Sequence, residues 1–309
     1  MQVSFNRIAG SIAVLVAVMT SLLAGCAKVD LSPHLQPLSK DTLMLLGKKG
    51  MDVPSPIFVR IFKEESEFEV WKQRSDGRFY HLKTYPICNW SGALGPKVKQ
   101  GDKQSPEGFY RIARDQMNPN SQFYLAFNLG FPNAYDRANK RTGDALMVHG
   151  KCKSAGCYAM TDALIEEIYA LARESYIGGQ DNIQVHAMPF RMTEANMARH
   201  QSNTWYPFWQ TLKQGYDHFE LTHVPPPVAV CQKQYMVNVT LAGGVPVGKL
   251  DPEGICPAME HPASLPFTPL PGEKMAQTTE AVLGPKMHLT GSVPPGLTMR
   301  SQPPFQFAR

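Results

Sequence analysis

A histidine and a cysteine eight positions apart, His149 and Cys157, have the types and spacing for nucleophilic chemistry. They stand in Met147-Val148-His149-Gly150-Lys151-Cys152-Lys153-Ser154-Ala155-Gly156-Cys157-Tyr158-Ala159-Met160-Thr161-Asp162. An apolar run delivers the histidine at its end, a loop of small and polar residues follows, and Gly156-Cys157 precedes a helix signal. A cysteine attacks as its thiolate, and at an ordinary thiol pKa of about 8.5 it is mostly protonated at neutral pH. A neighbouring imidazole can take that proton, and a following helix N-terminus adds partial positive charge. Gly156 permits a sharp turn and a close approach by a substrate carbonyl, and backbone N–H groups around Gly156-Cys157 can hold an oxyanion. Other readings of the same residues stay open. His149 can be a core histidine at a strand end. Cys152 and Cys157 can form a disulfide, structural or reversible. His149, Cys152 and Cys157 can ligate zinc, although no fourth ligand is near and the paired Cys-x-x-Cys spacing is missing.

The flanking sequence predicts the elements that would position this pair. Ile57–Phe62, Phe68–Lys72 and Phe79–Leu82 read as strands, with Asp76-Gly77 as a hairpin turn between the last two. Gly92, Gly95-Pro96 and Gly101-Asp102 mark a long loop. Gly108–Ile112, Tyr124–Leu129 and Ala145–His149 are further strands. Beyond Cys157, a helix capped by Thr161 or Asp162 carries an apolar stripe of Leu164, Ile165, Ile168, Leu171 and Ala172, and Gly178-Gly179 ends it. Ile183–Ala187 is a short strand. Residues 193–215 are amphipathic and helical in part, with Trp205, Phe208, Trp209 and Leu212 as a bulky face read as core. Pro207 forces a break or a new start there. Pro225-Pro226-Pro227 closes the patterned region, and eleven of the 26 prolines follow residue 250, which argues against a compact domain there. The fold class expected is mainly β with helices, an α+β chain.

The ends and the composition set the context. Arg7 precedes a nearly uncharged apolar run, Ile8–Leu23, which is short for a membrane span and suits a signal peptide. It ends in Leu23-Ala24-Gly25-Cys26, which resembles a bacterial lipobox, with Cys26 acylated. Ala27 follows the cysteine where a retention signal would carry Asp, so the expected place is the periplasm, lipid-anchored, at the outer rather than the inner membrane. The organisation expected is a signal peptide over 1–25, a tether over 26–50 with a short helix near Lys40–Lys49, and a catalytic domain over 51–192. A helical or irregular extension over 193–250, packing on that domain, and a Pro-rich, flexible tail over 251–309 complete it. A composition 43% hydrophobic and 18% charged calls for a packed core rather than disorder. The net charge of +5 is spread without a Lys/Arg block, so there is no nucleic-acid signature. Cys88, Cys152, Cys231 and Cys256 can form disulfides in an oxidising compartment; three pairings are open, and Cys231 with Cys256 is the most local pair.

His149-Gly150 and Ser154-Ala155-Gly156-Cys157 resemble the active-site signature of the L,D-transpeptidase (YkuD-type) catalytic domain. Ser105-Pro106-Glu107-Gly108-Phe109-Tyr110 resembles a second family segment. Phe127-Asn128-Leu129-Gly130-Phe131-Pro132-Asn133-Ala134 and Gly156-Cys157 with the following Ala-Met-Thr-Asp are similar to the divergent YafK-like branch. The resemblance covers roughly residues 57–190. It implies a small β-sandwich-like catalytic domain with the cysteine on a loop between strand and helix. It also implies a cysteine acyltransferase with Cys157 as nucleophile and His149 as base. Ser154 and Gly156 would be loop and oxyanion elements, and the Gly150 carbonyl would orient His149. The implied substrate is a diaminopimelyl-containing peptidoglycan stem peptide. The second half-reaction would be cross-linking, lipoprotein attachment, or hydrolysis releasing peptidoglycan-linked lipoprotein. No metal or cofactor is called for. The chain departs from the commoner family pattern. Its spacer is shorter, Ala155 stands where a second histidine is usual, and Ala159 stands where an arginine often follows. Tyr158, His186 and Arg191 are candidates to line the cleft, against plainer roles as a packed tyrosine, a buried histidine and a surface arginine. A binding protein with a degenerate domain is the rival from outside enzymology.

Overall fold

The computed structural model describes residues 31–241 and 250–260. The signal segment, Cys26 and the tail from 261 lie outside the described residues. The first half of the fold comprises α1 (Lys40–Lys48), β1 (Ile57–Phe62), β2 (Glu67–Gln73), β3 (Phe79–Pro86), β4 (Asn89–Trp90), β5 (Gly108–Ala113), β6 (Met117–Asn118), β7 (Ala126–Asn128) and α2 (Ala134–Ala138). The second comprises β8 (Met147–His149), β9 (Tyr158–Ala159), α3 (Asp162–Ile177), β10 (Asn182–Met188), α4 (Glu194–Arg199), α5 (Tyr206–Thr222), β11 (Val228–Cys231), β12 (Gln234–Val237), β13 (Thr240–Leu241) and β14 (Met259–Glu260).

Two five-stranded sheets organise these elements, in the orders β3-β2-β1-β10-β5 and β4-β9-β8-β7-β6. Every residue of β1 is buried, as a continuous apolar run requires when both faces are covered. On one face Phe58 packs against Phe219 of α5 with ring centroids 4.6 Å apart, and Phe62 meets Tyr216 at 6.3 Å. Arg60, on that same face, is tolerated because Glu69 holds it at 2.9 Å and the rings of Trp71 and Phe219 receive its guanidinium. The turn at Asp76-Gly77 is as expected: Gly77 has φ 80°, and β2 pairs with β3 from Gln73 opposite Phe79.

Helix α3 starts where its cap predicts, with the Thr161 side chain accepting the Leu164 N–H at 3.3 Å. It ends at Gly178, where a Cβ would lie 1.9 Å from the Pro54 carbonyl oxygen, so close packing as well as chain reversal calls for glycine. Pro207 sits in the first turn of α5, after the short α4; the proline marks a new start, because its missing N–H costs nothing at a helix N-terminus.

Two expectations about organisation are corrected. The expected short helix is α1, but the tether is docked from Pro33 onward: Arg173 donates to the carbonyls of His34 and Gln36, Thr42 bonds Glu167 at 2.9 Å, and Leu46 is buried. Helix α5, within the 193–250 extension, supplies Trp209 and Phe219 to the core over β1 and β10. The prolines at 225–227 do not end the pattern. A hairpin, β11–β12, follows, and residues 251–256 return to it through Gln232 N–H to Gly254 O, Lys233 N–H to Pro252 O, and the Cys231–Cys256 disulfide.

Candidate active site

Strands β8 and β9 are parallel, with Val148 opposite Tyr158 and His149 opposite Ala159. Side chains alternate along a strand, and residues in register share a face. One step back from Tyr158 therefore sets Cys157 beside Met147, on the face that carries His149. The contact is direct: the Met147 N–H points at Cys157 Sγ over 3.4 Å, and the Ala145 carbonyl lies 3.8 Å from the sulfur. Cys157 is the free cysteine among the described residues and is half-buried.

His149 is buried, and its Nδ1 lies 2.7 Å from the Gly150 carbonyl oxygen. A carbonyl only accepts, so Nδ1 carries the hydrogen and Nε2 the lone pair, which is the tautomer a base needs. Gly150 cannot carry a side chain: a Cβ would stand 2.5 Å from Asp162 Oδ1 and 2.8 Å from the Phe123 carbonyl. The Phe123 ring lies over the imidazole with centroids 4.5 Å apart.

The loop is locked around the peptide that follows the thiol. Ser154 Oγ donates to the Cys157 carbonyl at 2.7 Å and accepts from the Gly156 N–H at 3.3 Å. Gly156 has φ 130°, which favours glycine. The Gly156 N–H is thus engaged by Ser154, so Ser154 and Gly156 shape the loop. A second hydroxyl, Ser105 Oγ, reaches the same Cys157 carbonyl at 2.9 Å while accepting the Ser91 N–H at 3.2 Å. The sequence motif around Ser105 marks that segment, but nothing in it shows that Ser105 touches a residue fifty-two positions later. Behind Ser105, the fully buried Lys63 binds the carbonyls of Ala93, Gly95 and Ser105 and the Glu107 carboxylate.

Burial pushes the Cys157 thiol up, against weaker opposing pulls from the Met147 N–H and the Lys97 charge. Burial also pushes His149 down, against the opposing Gly150 carbonyl. Both shifts favour neutral forms, so at rest the pair is thiol and imidazole. Helix α3 begins beyond β9 and does not reverse this. Alkylation of Cys157 by iodoacetamide, followed by mass spectrometry across a pH series, is expected to show a midpoint above the ordinary thiol value of about 8.5. A midpoint near neutrality would contradict the resting state described.

The remaining sequence candidates fall elsewhere. Tyr158 is fully buried and donates to the Pro106 carbonyl at 2.7 Å, so it packs rather than lines a cleft. His186 is fully buried under α5, between the rings of Phe58 and Phe109 at 4.7 Å each, and cannot touch substrate. Arg191 is spent on Glu67 and Glu69 beside the Phe62 ring. Cys152 is joined to Cys88, which removes it from a redox pair with Cys157 and from a zinc set. Among the described residues no group of three or more His, Cys, Asp or Glu is arranged to hold a metal.

Comparison with known proteins places this arrangement. The model of the YkuD L,D-transpeptidase catalytic domain matches residues 61–216. The chain is 43% identical over 225 residues to "Putative L,D-transpeptidase YafK" of Escherichia coli strain K12, covering 73% of this chain and 90% of that protein. The protein of the same name in Escherichia coli O157:H7 matches equally. Among solved structures, the helical cell shape determining protein Pgp2 from Campylobacter jejuni aligns with a TM-score of 0.36 at 19% identity, over 61% of this chain and 69% of that one. Bd1075 of Bdellovibrio bacteriovorus aligns with a TM-score of 0.31 at 15% identity, over 54% and 59% of the two chains. With the family match running from β1 through most of α5 and enclosing the His149–Cys157 loop, the chain belongs to the L,D-transpeptidase catalytic domain (YkuD) family.

Proposed function

We propose that this protein is a cysteine acyltransferase of peptidoglycan, with Cys157 as nucleophile and His149 as general base. The observation that carries the reading is the register of β8 on β9, which puts a free thiol on the same face as an imidazole whose Nδ1 is committed to the Gly150 carbonyl. As Sγ attacks the amide carbonyl on the L-centre of a diaminopimelyl residue, its proton passes to His149 Nε2. The C–N bond breaks, the amine leaves with that proton, and a thioester remains on Cys157. With the Gly156 N–H held by Ser154, the Cys157 N–H is the backbone donor assigned to the developing oxyanion. An acceptor amine or water then resolves the thioester, returning its proton through His149. An amine gives a cross-link or an attached lipoprotein; water gives a cleaved one. The site for this work is the periplasm, with the chain held by lipid on Cys26.

The test is intact-mass spectrometry of the full chain, purified in mild detergent, after incubation with a carbapenem and separately with muropeptides. An adduct mapped to Cys157 and absent from Cys157→Ala is the expected result, and the muropeptide products then distinguish joining from hydrolysis. No adduct and unchanged muropeptides would overturn the enzyme reading in favour of a peptidoglycan-binding protein.

A further inference from the structure

The loop that carries the nucleophile is fastened to one short strand at three successive points. At its start, Cys152 is bonded to Cys88, the residue before β4. At its middle, Ser154 Oγ lies 3.2 Å from Ser91 Oγ, just past the end of β4. At its end, β9 pairs with β4 itself, Asn89 opposite Ala159 and Trp90 opposite Tyr158. Both half-cystines also grip the backbone downstream of the nucleophile: Cys88 N–H donates to Ala159 O at 2.9 Å, and Cys152 N–H to Met160 O at 3.1 Å. Lys151 and Cys152 are consecutive non-glycine residues in the left-handed region, with φ of 64° and 49°. Such a pair relaxes unless the surroundings hold it. The disulfide is the covalent part of that hold, at the start of the loop that ends in Cys157.

We propose that Cys88 and Cys152 are positioning residues for the acylation step, so that Cys157 accepts an acyl group efficiently only when the Cys88–Cys152 disulfide is formed. The inference rests on Cys157 being the nucleophile. Formation of the bond removes two protons and two electrons from the two thiols. A disulfide-bearing oxidant receives the electrons: one cysteine thiolate attacks its sulfur, the second displaces it from the mixed disulfide, and the oxidant leaves as a dithiol. A chain with reduced cysteines is then folded but a poor acyl acceptor, and oxidation after export switches the site on. The Cys231–Cys256 disulfide ties residues 250–256 to β11 and takes no part in the nucleophile loop.

The experiment compares carbapenem acylation rates of Cys157 in the full chain, oxidised and after treatment with a phosphine reductant, with near-UV circular dichroism on the same samples. Cys88→Ser/Cys152→Ser and Cys231→Ser/Cys256→Ser are run beside it. The expected result is a fall of at least tenfold on reduction, reversed on reoxidation. The Cys88/Cys152 variant should reproduce it at native-like dichroism and the Cys231/Cys256 variant should not. A positioning role further requires that iodoacetamide, which needs no aligned base, alkylates the reduced chain at least as fast as the oxidised one. Unchanged acylation on reduction overturns the proposal. Should the serine variant unfold, Cys88→Ala/Cys152→Gly, which relieves the left-handed residue, replaces it. Unfolding of that variant and of the reduced chain makes the bond a general stabiliser and also overturns the proposal. Absence of any adduct in the oxidised chain counts instead against Cys157 as nucleophile.

Discussion

His149→Ala is expected to lower the rate at which Cys157 is acylated by roughly 10²- to 10⁴-fold, the contribution of a positioned general base. The size follows from the resting state. Because burial holds the thiol protonated, there is no standing thiolate to carry the reaction when the base is lost. His149→Gln, which keeps a side chain of similar reach but cannot take the proton, should fall as far. The pH dependence has a definite sign. Burial depresses His149 below the ordinary imidazole value, so it is neutral at pH 7, the form that the proposed role as base requires. Acylation is lost only as pH drops through that lowered value, on the acid side of the usual histidine range. Stopped-flow or mass-spectrometric acylation rates at saturating pH and in mild acid check both points. A His149→Ala rate within a fewfold of wild type would remove His149 from the mechanism.

Lys63→Met is expected to be the most destabilising single change near the site, at about 3–5 kcal/mol, because removing one partner of a buried pair leaves an uncompensated charge. Both Lys63 and Glu107 are fully buried, 3.0 Å apart, and Lys63 also serves three backbone carbonyls. Glu107 in turn accepts the Trp209 indole N–H at 2.8 Å and the Gly95 N–H at 2.7 Å. The cluster therefore joins α5, the Gly92–Gly95 loop and the Ser105 segment. Its loss should slow Cys157 acylation as well, because Ser105 would no longer be held against the Cys157 carbonyl. Arg199→Ala provides the contrast. Its bond to Glu64 is largely in water, and surface pairs of that kind contribute about 0–1 kcal/mol. Urea denaturation of the two variants checks the difference; equal losses would mean that burial is not what gives Lys63 its weight.

Much of the fold follows from local signals. The β1 run, the Asp76-Gly77 turn, the Thr161 cap, the Gly178 stop and the Pro207 start each act over a few residues, and the structure places them where those residues point. The β11–β12 hairpin illustrates the opposite case. Its turn residues, Gln232 and Lys233, both have positive φ, at 49° and 60°, yet neither is a residue that favours that region. The turn is held from outside by Gly254, Pro252 and the Cys231–Cys256 disulfide, so no local pattern announces it. The short helix after Pro33 has a local signal, but its docking has none for a related reason: the partners of that stretch, Glu167 and Arg173, lie on α3 far along the chain.

The site divides along the same line. By itself the sequence determined which residues can do the chemistry, because a thiol, an imidazole and the glycines beside them are properties of residue type and of spacing over one short loop. It also determined the family, because several ordered segments match at once. Only the tertiary structure decided how those residues are poised. The register of β8 on β9 sets Cys157 and His149 on one face, Ser105 closes on the Cys157 carbonyl, and Cys152 is bonded to Cys88 sixty-four positions away. It also turned Tyr158 and His186 inward and Arg191 onto two glutamates, and raised the thiol by burial. Each of these depends on what packs against a residue from a distant part of the chain, and local spacing carries no record of that.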